Sequence, residues 1–145
     1  MKQSTDREFT VVCRLASRLA RARRAVIGDL NRGLTPMGVS AAEASALLAI
    51  RDAAVATASV VAHRLDLDSG FITRLLDRLE KRDLITRVRK AEDRRVIQLV
   101  LTDGAKAILT GGVECSAPGW SRRLSSLTNE EWQELLRLLA KLAPG

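Results

Sequence analysis

The sequence predicts a mainly α-helical domain carrying one small β-hairpin. Three observations predict it. Apolar residues recur at helical spacing along most of the chain, in segments divided by caps and turns. Residues 84–89 and 96–101 break that period: they alternate and are rich in β-branched types, with the polar loop 90–95 between them. Directly before the hairpin, residues 58–82 read as two helices joined by the tight turn Asp66-Leu67-Asp68. Helix, turn, basic helix, hairpin is the order of a winged helix-turn-helix.

Each element has a local reason. Over 12–30, Val12, Leu15, Leu19, Ala22, Val26 and Leu30 share one helical face, and Arg14, Arg18 and Arg21 fall on another. This long amphipathic helix is expected to end at Gly33 and Pro36. Ser40-Ala41-Ala42-Glu43 is a capping box, in which the Ser side chain serves the Glu amide and the Glu reaches back. It opens a second helix over about 41–53. A short third helix over 58–65 turns Val61 and Leu65 inward. Asp68 is a suitable N-cap for a fourth helix over 69–82. Thr102 caps a fifth, whose pattern Gly111, Gly112, Pro118 and Gly119 interrupt, predicting a break there. Thr128-Asn129-Glu130-Glu131 is a second capping box, and the last helix carries Trp132, Leu135, Leu136, Leu139 and Leu142 on one side. The chain holds no internal repeat and no low-complexity tract.

At 145 residues the chain fits one domain. Apolar residues make up 46% but aromatics only 3%, with no Tyr, so the core must be built from Leu, Val, Ile and Ala. The net charge of +7 favours a polyanionic partner, nucleic acid or an anionic membrane surface. The first ten residues have no hydrophobic run and no apolar stretch approaches the roughly 20 residues of a membrane span. A cytoplasmic protein with no membrane partner is expected. Two cysteines and the single His63 make no metal cluster, and in the cytosol both thiols would be reduced. No Ser-His-Asp set, carboxylate pair or phosphate loop is present, so neither an enzyme nor a cofactor or metal site is expected. His63 is expected to be exposed, where it can touch a phosphate. Trp120 and Trp132 fit core or dimer packing.

The fourth helix carries the candidate chemistry. Ile72, Leu75, Leu76 and Leu79 form one apolar stripe at i, i+3, i+4 and i+7. The opposite face holds Gly70, Arg74, Asp77 and Lys81, flanked by Thr73 and Arg78. Ser69, Thr73 and Arg74 lie in the N-terminal half, which meets base edges in a helix-turn-helix, and Gly70 lets backbone approach a partner. Arg74 suits a bidentate bond to guanine, and Arg78 and Lys81 suit phosphates. Asp77, three after Arg74 and four before Lys81, is expected to orient those cations. Taken alone, this face also fits an ordinary solvated basic helix. The hairpin shifts the balance: Arg87, Arg89, Lys90, Arg94 and Arg95 against Glu92 and Asp93 make a basic wing suited to a minor groove. Arg87 and Lys90 are assigned to phosphates, and Arg94 and Arg95 to the wing contact.

Ser40-Ala-Ala-Glu, the run from Leu67 through Ile85, Glu92-Asp-Arg-Arg and Leu101-Thr-Asp-Gly, in that order and spacing, resemble the MarR family of bacterial transcription regulators. The resemblance covers most of the chain and is strongest from 65 to 104. It implies a single domain over 1–145, with a DNA-binding lobe at about 40–102 between dimerisation helices at about 9–35 and 120–145. It implies a homodimer that reads a pseudo-palindromic operator in double-stranded DNA. The family's Asp-x-Arg wing motif falls on Asp93 and Arg95, which would pair to brace the loop. Arg94 would then enter the minor groove, a role Arg95 can exchange. Family ligands often bind between the DNA-binding lobe and the dimerisation helices. Asp83 stands where the family usually has Gly, which predicts an altered helix end. An aromatic effector pocket is not evident in a chain so poor in aromatics.

Peroxide-sensing members of the family use a cysteine near the start of the first helix, sometimes with a second in the C-terminal region. Cys13 and Cys115 match those places, although the Tyr partners of such sensors are absent. The other reading is two small buried hydrophobes. The expectation is therefore a DNA-binding regulator, a repressor released by a small ligand. The alternatives are a redox-responsive regulator using Cys13 and Cys115, and an interaction module that kept the fold without reading an operator.

Overall fold

The structure, a computed structural model, describes residues 2–91, 93–111 and 125–143. The long helix α1 spans Lys2–Leu34, longer at both ends than its apolar repeat suggests. Its first turns contain neither Gly nor Pro, so nothing there opposes helix. One Gly in a helix costs only about 1 kcal/mol, so Gly33 does not stop it. Pro36 does, because it has no N–H to donate to the carbonyl four residues back and its ring crowds that carbonyl. The chain tightens into a 3-10 turn, Thr35–Met37, and reverses through Gly38 at φ +66.

Helices α2 (Ala41–Arg51) and α3 (Ala58–Leu65) follow, then α4 (Ser69–Lys81); α2 and α4 open on the expected caps Ser40 and Asp68, and α3 opens on Thr57, a cap not expected from the sequence. The Ser40 box is complete, with the Glu43 amide on Ser40 Oγ at 3.2 Å and Ser40 N–H on Glu43 Oε2 at 2.8 Å. Strands β1 (Ile85–Arg89) and β2 (Ile97–Leu101) pair antiparallel in the register Ile85↔Leu101, Arg87↔Leu99 and Arg89↔Ile97. The Leu99 amide also bonds to Ala56 O at 2.8 Å, which ties the hairpin to the segment before α3. Thr102 caps helix α5, which is helical over 103–111, and α6 spans Asn129–Leu142 behind the Thr128 box. Helix α5 continues into Gly111; the rest of the expected break, with Gly112, Pro118 and Gly119, lies outside the described residues, as do Glu92, Cys115 and Trp120.

The core gathers Leu47, Ile50, Val61, Ile72, Leu75, Leu76, Leu79, Leu84, Ile85 and Leu99, all aliphatic, with Phe71 packed on its margin. It sits under α2, α3, α4 and the hairpin. The flanking helices contribute little to it. Phe9, Val12, Leu15 and Val26 on α1 and Leu135, Leu136, Leu139 and Leu142 on α6 are exposed in the single chain. No single helix among the described residues is long and apolar enough to cross a membrane.

Candidate DNA interface

The expected stripe on α4 is the buried one: Ile72, Leu75, Leu76 and Leu79 are at most 2% exposed. Burying that face fixes the opposite one outward. Ser69, Gly70, Thr73, Arg74, Arg78 and Lys81 are all exposed on it. Asp68 Oδ1 accepts the Phe71 amide at 2.8 Å and so sets where the helix begins. Thr73 Oγ1 donates to Ser69 O at 2.7 Å, which leaves the hydroxyl free only as an acceptor. A side chain at position 70 would lie 3.2 Å from Asp68 Oδ1 and 3.5 Å from Arg74 Nη1. The glycine thus leaves room for the cap and for the arginine lying across it, in addition to leaving backbone open. His63 is exposed on α3.

The hairpin stands beside this face, and two expected roles change. Arg87 Nη2 lies 2.7 Å from Asp77 Oδ1, and Arg87 Nη1 lies 2.6 Å from Glu80 Oε2. Arg87 is therefore committed to two carboxylates of α4 instead of being free for phosphate. Asp77 pairs across to the strand, where it was expected to orient Arg74 and Lys81. The physical reason is register: Arg87 shares a strand face with buried Leu99, so its planar fork is aimed at the helix. Glu80, unremarked in the sequence, completes the clamp. Its signal was present as a second carboxylate three residues after Asp77 on a basic helix.

The wing brace also differs from the expected pairing. Asp93 Oδ1 accepts the main-chain amide of Arg95 at 3.0 Å, and Asp93 O accepts the Val96 amide at 3.0 Å. The carboxylate folds the loop through backbone, as Asx turns do, rather than through the guanidinium of Arg95. Arg94 and Arg95 are both exposed at the tip, and Lys90 is half-buried at its base. Arg89 is exposed with them.

Asp83 does not alter the end of α4. It takes the left-handed conformation itself, at φ 54. The Leu84 amide reaches Leu79 O at 2.9 Å and the Asp83 amide reaches Glu80 O at 2.9 Å, the two bonds of a Schellman cap. Asp66 at φ 51 closes α3 in the same way. Cys13 is exposed on α1 in the single chain. Among the described residues no group of three or more His, Cys, Asp or Glu could hold a metal ion.

An exposed basic helix face clamped to a basic hairpin is a surface for the DNA grooves. Comparison with known proteins agrees. Residues 39–97 match the model of the MarR family. The chain is 32% identical over 119 residues to the HTH-type transcriptional repressor MdtR of Bacillus subtilis, covering 79% of this chain and 74% of that one. It is 33% identical over 116 residues to the multiple antibiotic resistance protein MarR of Escherichia coli, covering 79% and 81%. Among solved structures, a mutant MarR from E. coli complexed with operator DNA superposes with a TM-score of 0.81 at 29% identity, over 94% of this chain and 98% of that one. The chain belongs to the MarR family of winged helix-turn-helix proteins, DNA-binding transcriptional regulators rather than enzymes.

Proposed function

We propose that this regulator is a homodimeric repressor that reads a pseudo-palindromic operator in double-stranded DNA and leaves it when a small ligand binds. The observation that carries the reading is the exposed face of α4 with Arg74 near its start, held against the wing by Arg87. In the major groove, Arg74 would bond guanine and Ser69 and Thr73 would face neighbouring bases. Because the Thr73 hydroxyl already donates to Ser69 O, it would read a base donor, the amino group of adenine or cytosine. Gly70 would bring backbone close to the groove. Arg78, Lys81 and Lys90 would hold phosphates, and Arg94 and Arg95 would reach the minor groove.

The dimer is supported by the apolar residues left exposed on both flanking helices, which a lone chain would leave against water. Two copies would present two α4 helices, the requirement for a two-fold symmetric site. Family membership supports repression and ligand release: MdtR is itself a repressor.

Selection from a random DNA pool at near-physiological salt tests the reading. The expected winner is an inverted repeat with half-site centres about one helical turn apart. Uniform, steeply salt-dependent binding to every sequence would mean phosphate contact without readout and would overturn it.

A further inference from the structure

The end of α4 is tied to more of the protein than its beginning is. Arg82, the residue that caps it, turns its side chain back over the α1–α2 corner. Its Nη2 donates to Gly38 O at 2.7 Å and its Nη1 lies 3.3 Å from Glu43 Oε1. Glu43 is only 8% exposed, and its other oxygen receives the Ser40 amide at 2.8 Å and the Ser40 hydroxyl at 3.0 Å. One carboxylate therefore serves the cap of α2 and the cap residue of α4 together. The next residue of α2 joins the set: the Ala41 amide donates to Asn31 Oδ1 on α1 at 2.7 Å. Asn31 O in turn accepts Thr35 Oγ1 at 2.8 Å.

The residue after Arg82 faces the start of α5. Thr102 Oγ1 donates to Asp83 O at 2.7 Å, and the same oxygen caps α5 by accepting the Ala105 amide at 3.2 Å. The Thr102 amide reaches Leu84 O at 3.1 Å. Residues 82–84 are thus a polar junction, bonded to the α1–α2 corner on one side and to the start of α5 on the other. Among the described residues the base-facing start of α4 is bonded locally, by Asp68 to Phe71 and Ile72 and by Thr73 to Ser69.

We infer that Arg82 is a positioning residue: its clasp on Glu43 and Gly38 fixes the tilt of α4 against α1, and so sets the half-site spacing the dimer accepts. This rests on the operator reading proposed above. The chemistry suits the role. A guanidinium is a planar fork that can hold a carbonyl and a carboxylate at once, and a lysine ammonium cannot reproduce that fixed angle. The clasp lies at the far end of α4 from Ser69 and Arg74, so it acts on where the helix points rather than on which bases it bonds. Gly38 belongs to the same device. It sits at φ +66, where a side chain is strained, and this turn presents its carbonyl to Arg82.

The test uses the full chain and a set of DNA duplexes. Each carries the selected half-sites at the selected spacing, or with one or two base pairs added or removed, beside a single half-site. For Arg82→Ala, affinity for the single half-site, its preferred sequence and the salt slope should stay as in the parent. The affinity ratio between the best spacing and its neighbours should fall by about fivefold or more. Arg82→Lys should behave like Arg82→Ala, since charge alone does not restore the fork. Glu43→Gln, which keeps an acceptor for Ser40 and removes the charge facing Arg82, should shift the ratio in the same direction. It is the deciding variant if Arg82→Ala does not fold. A merely structural role predicts lower thermal stability with the spacing ratio intact, and that result would overturn the inference. If the parent selects no inverted repeat at all, the operator reading fails first and the clasp's role falls with it. That outcome is distinct from a parent that discriminates spacing and a variant that discriminates equally well.

Discussion

Arg87 of β1 and Asp77 of α4 are joined guanidinium to carboxylate at 2.7 Å, and the same arginine holds Glu80 at 2.6 Å. The wing and α4 are therefore joined through side chains as well as through the core. Without this clamp the hairpin is still held to the lobe by its buried residues Ile85 and Leu99 and by the Leu99 amide on Ala56 O. Arg87→Ala is expected to lower stability only modestly, by about 0.5–1 kcal/mol, because the pairs are partly exposed and screened. Operator affinity should fall by more than that, while the slope of log affinity against log salt stays the same. An arginine that touched phosphate would instead reduce that slope by about 1. Urea melts and a salt titration of the variant separate the two roles.

Arg74 faces solvent from the first half of α4, lying across Gly70. Arg74→Ala should cost about 1–3 kcal/mol of operator binding and relax preference at one base pair in each half-site. Competition against duplexes substituted one base pair at a time gives the answer. An equal loss on every duplex would assign Arg74 to phosphate. Gly70→Ala should weaken binding as well, because the new methyl meets the capping Asp68 Oδ1 at 3.2 Å, which must give by a few tenths of an ångström, and covers backbone that faces the groove.

Asp83 holds φ 54 at the end of α4, a conformation that costs most L-residues roughly 1–2 kcal/mol and glycine nothing. Asp tolerates it better than most, and glycine adds freedom to the unfolded chain. Asp83→Gly should therefore stabilise by about 0.5 kcal/mol, and Asp83→Val should destabilise by more than 1 kcal/mol. Asp83 enters these bonds through its backbone alone, so operator affinity should not change with either variant that folds. Thermal melts rank the three proteins, and a Val variant as stable as the parent would contradict the strained position.

What could be read from the sequence was whatever a few neighbouring residues decide. The Asp68 cap, the Ile72-Leu75-Leu76-Leu79 stripe and both capping boxes are local devices, and each appears where its spacing put it. Asp77 was assigned to Arg74 and Lys81 by the same local logic and went instead to Arg87, ten residues away. Helical spacing puts charges near each other, but a planar guanidinium aimed from an adjacent strand can serve Asp77 and Glu80 at once. Arg82 shows the limit more plainly. Its partner Glu43 is 39 residues distant, and no pattern within either segment indicates the pairing. The brace follows the same rule, since Asp93 holds the main-chain amide of Arg95 and not its side chain.

Acid should act on α6 before it acts on the core. The hydrogen bond from Arg137 holds the Glu134 carboxyl below its ordinary range, and the first-turn main chain and the Thr128 hydroxyl lower Glu130. A depressed folded-state pKa contributes stability that is fully present above the unfolded carboxylate value of about 4.3. That contribution is lost as pH falls through the lower folded values. Helicity and dimer affinity should therefore be flat from neutral pH down to about 5 and decline below about 4, and Glu134→Gln should flatten part of the decline. Both groups are fully exposed, so high salt should blunt the effect. A decline already complete above pH 5 would exclude this origin.

The exposed leucines of α6 lead to the last expectation. Leu136 is 54% exposed and Leu142 59% in the single chain, while Val12 on α1 is 62% exposed. In a two-fold dimer each substitution is present twice. Burying a carboxylate in place of a leucine at an apolar contact should cost about 2 kcal/mol per copy, so Leu136→Glu should weaken association by about a thousandfold. Sedimentation equilibrium should then find monomers at micromolar concentration. The DNA-binding lobe has its own core, so the monomer should still fold and bind a single half-site. Each monomer neutralises half as many phosphates as the dimer, and the salt slope should therefore halve. A dimer unaffected by Leu136→Glu would place the interface away from this face of α6, and an unfolded chain would show that the lobe depends on its partner.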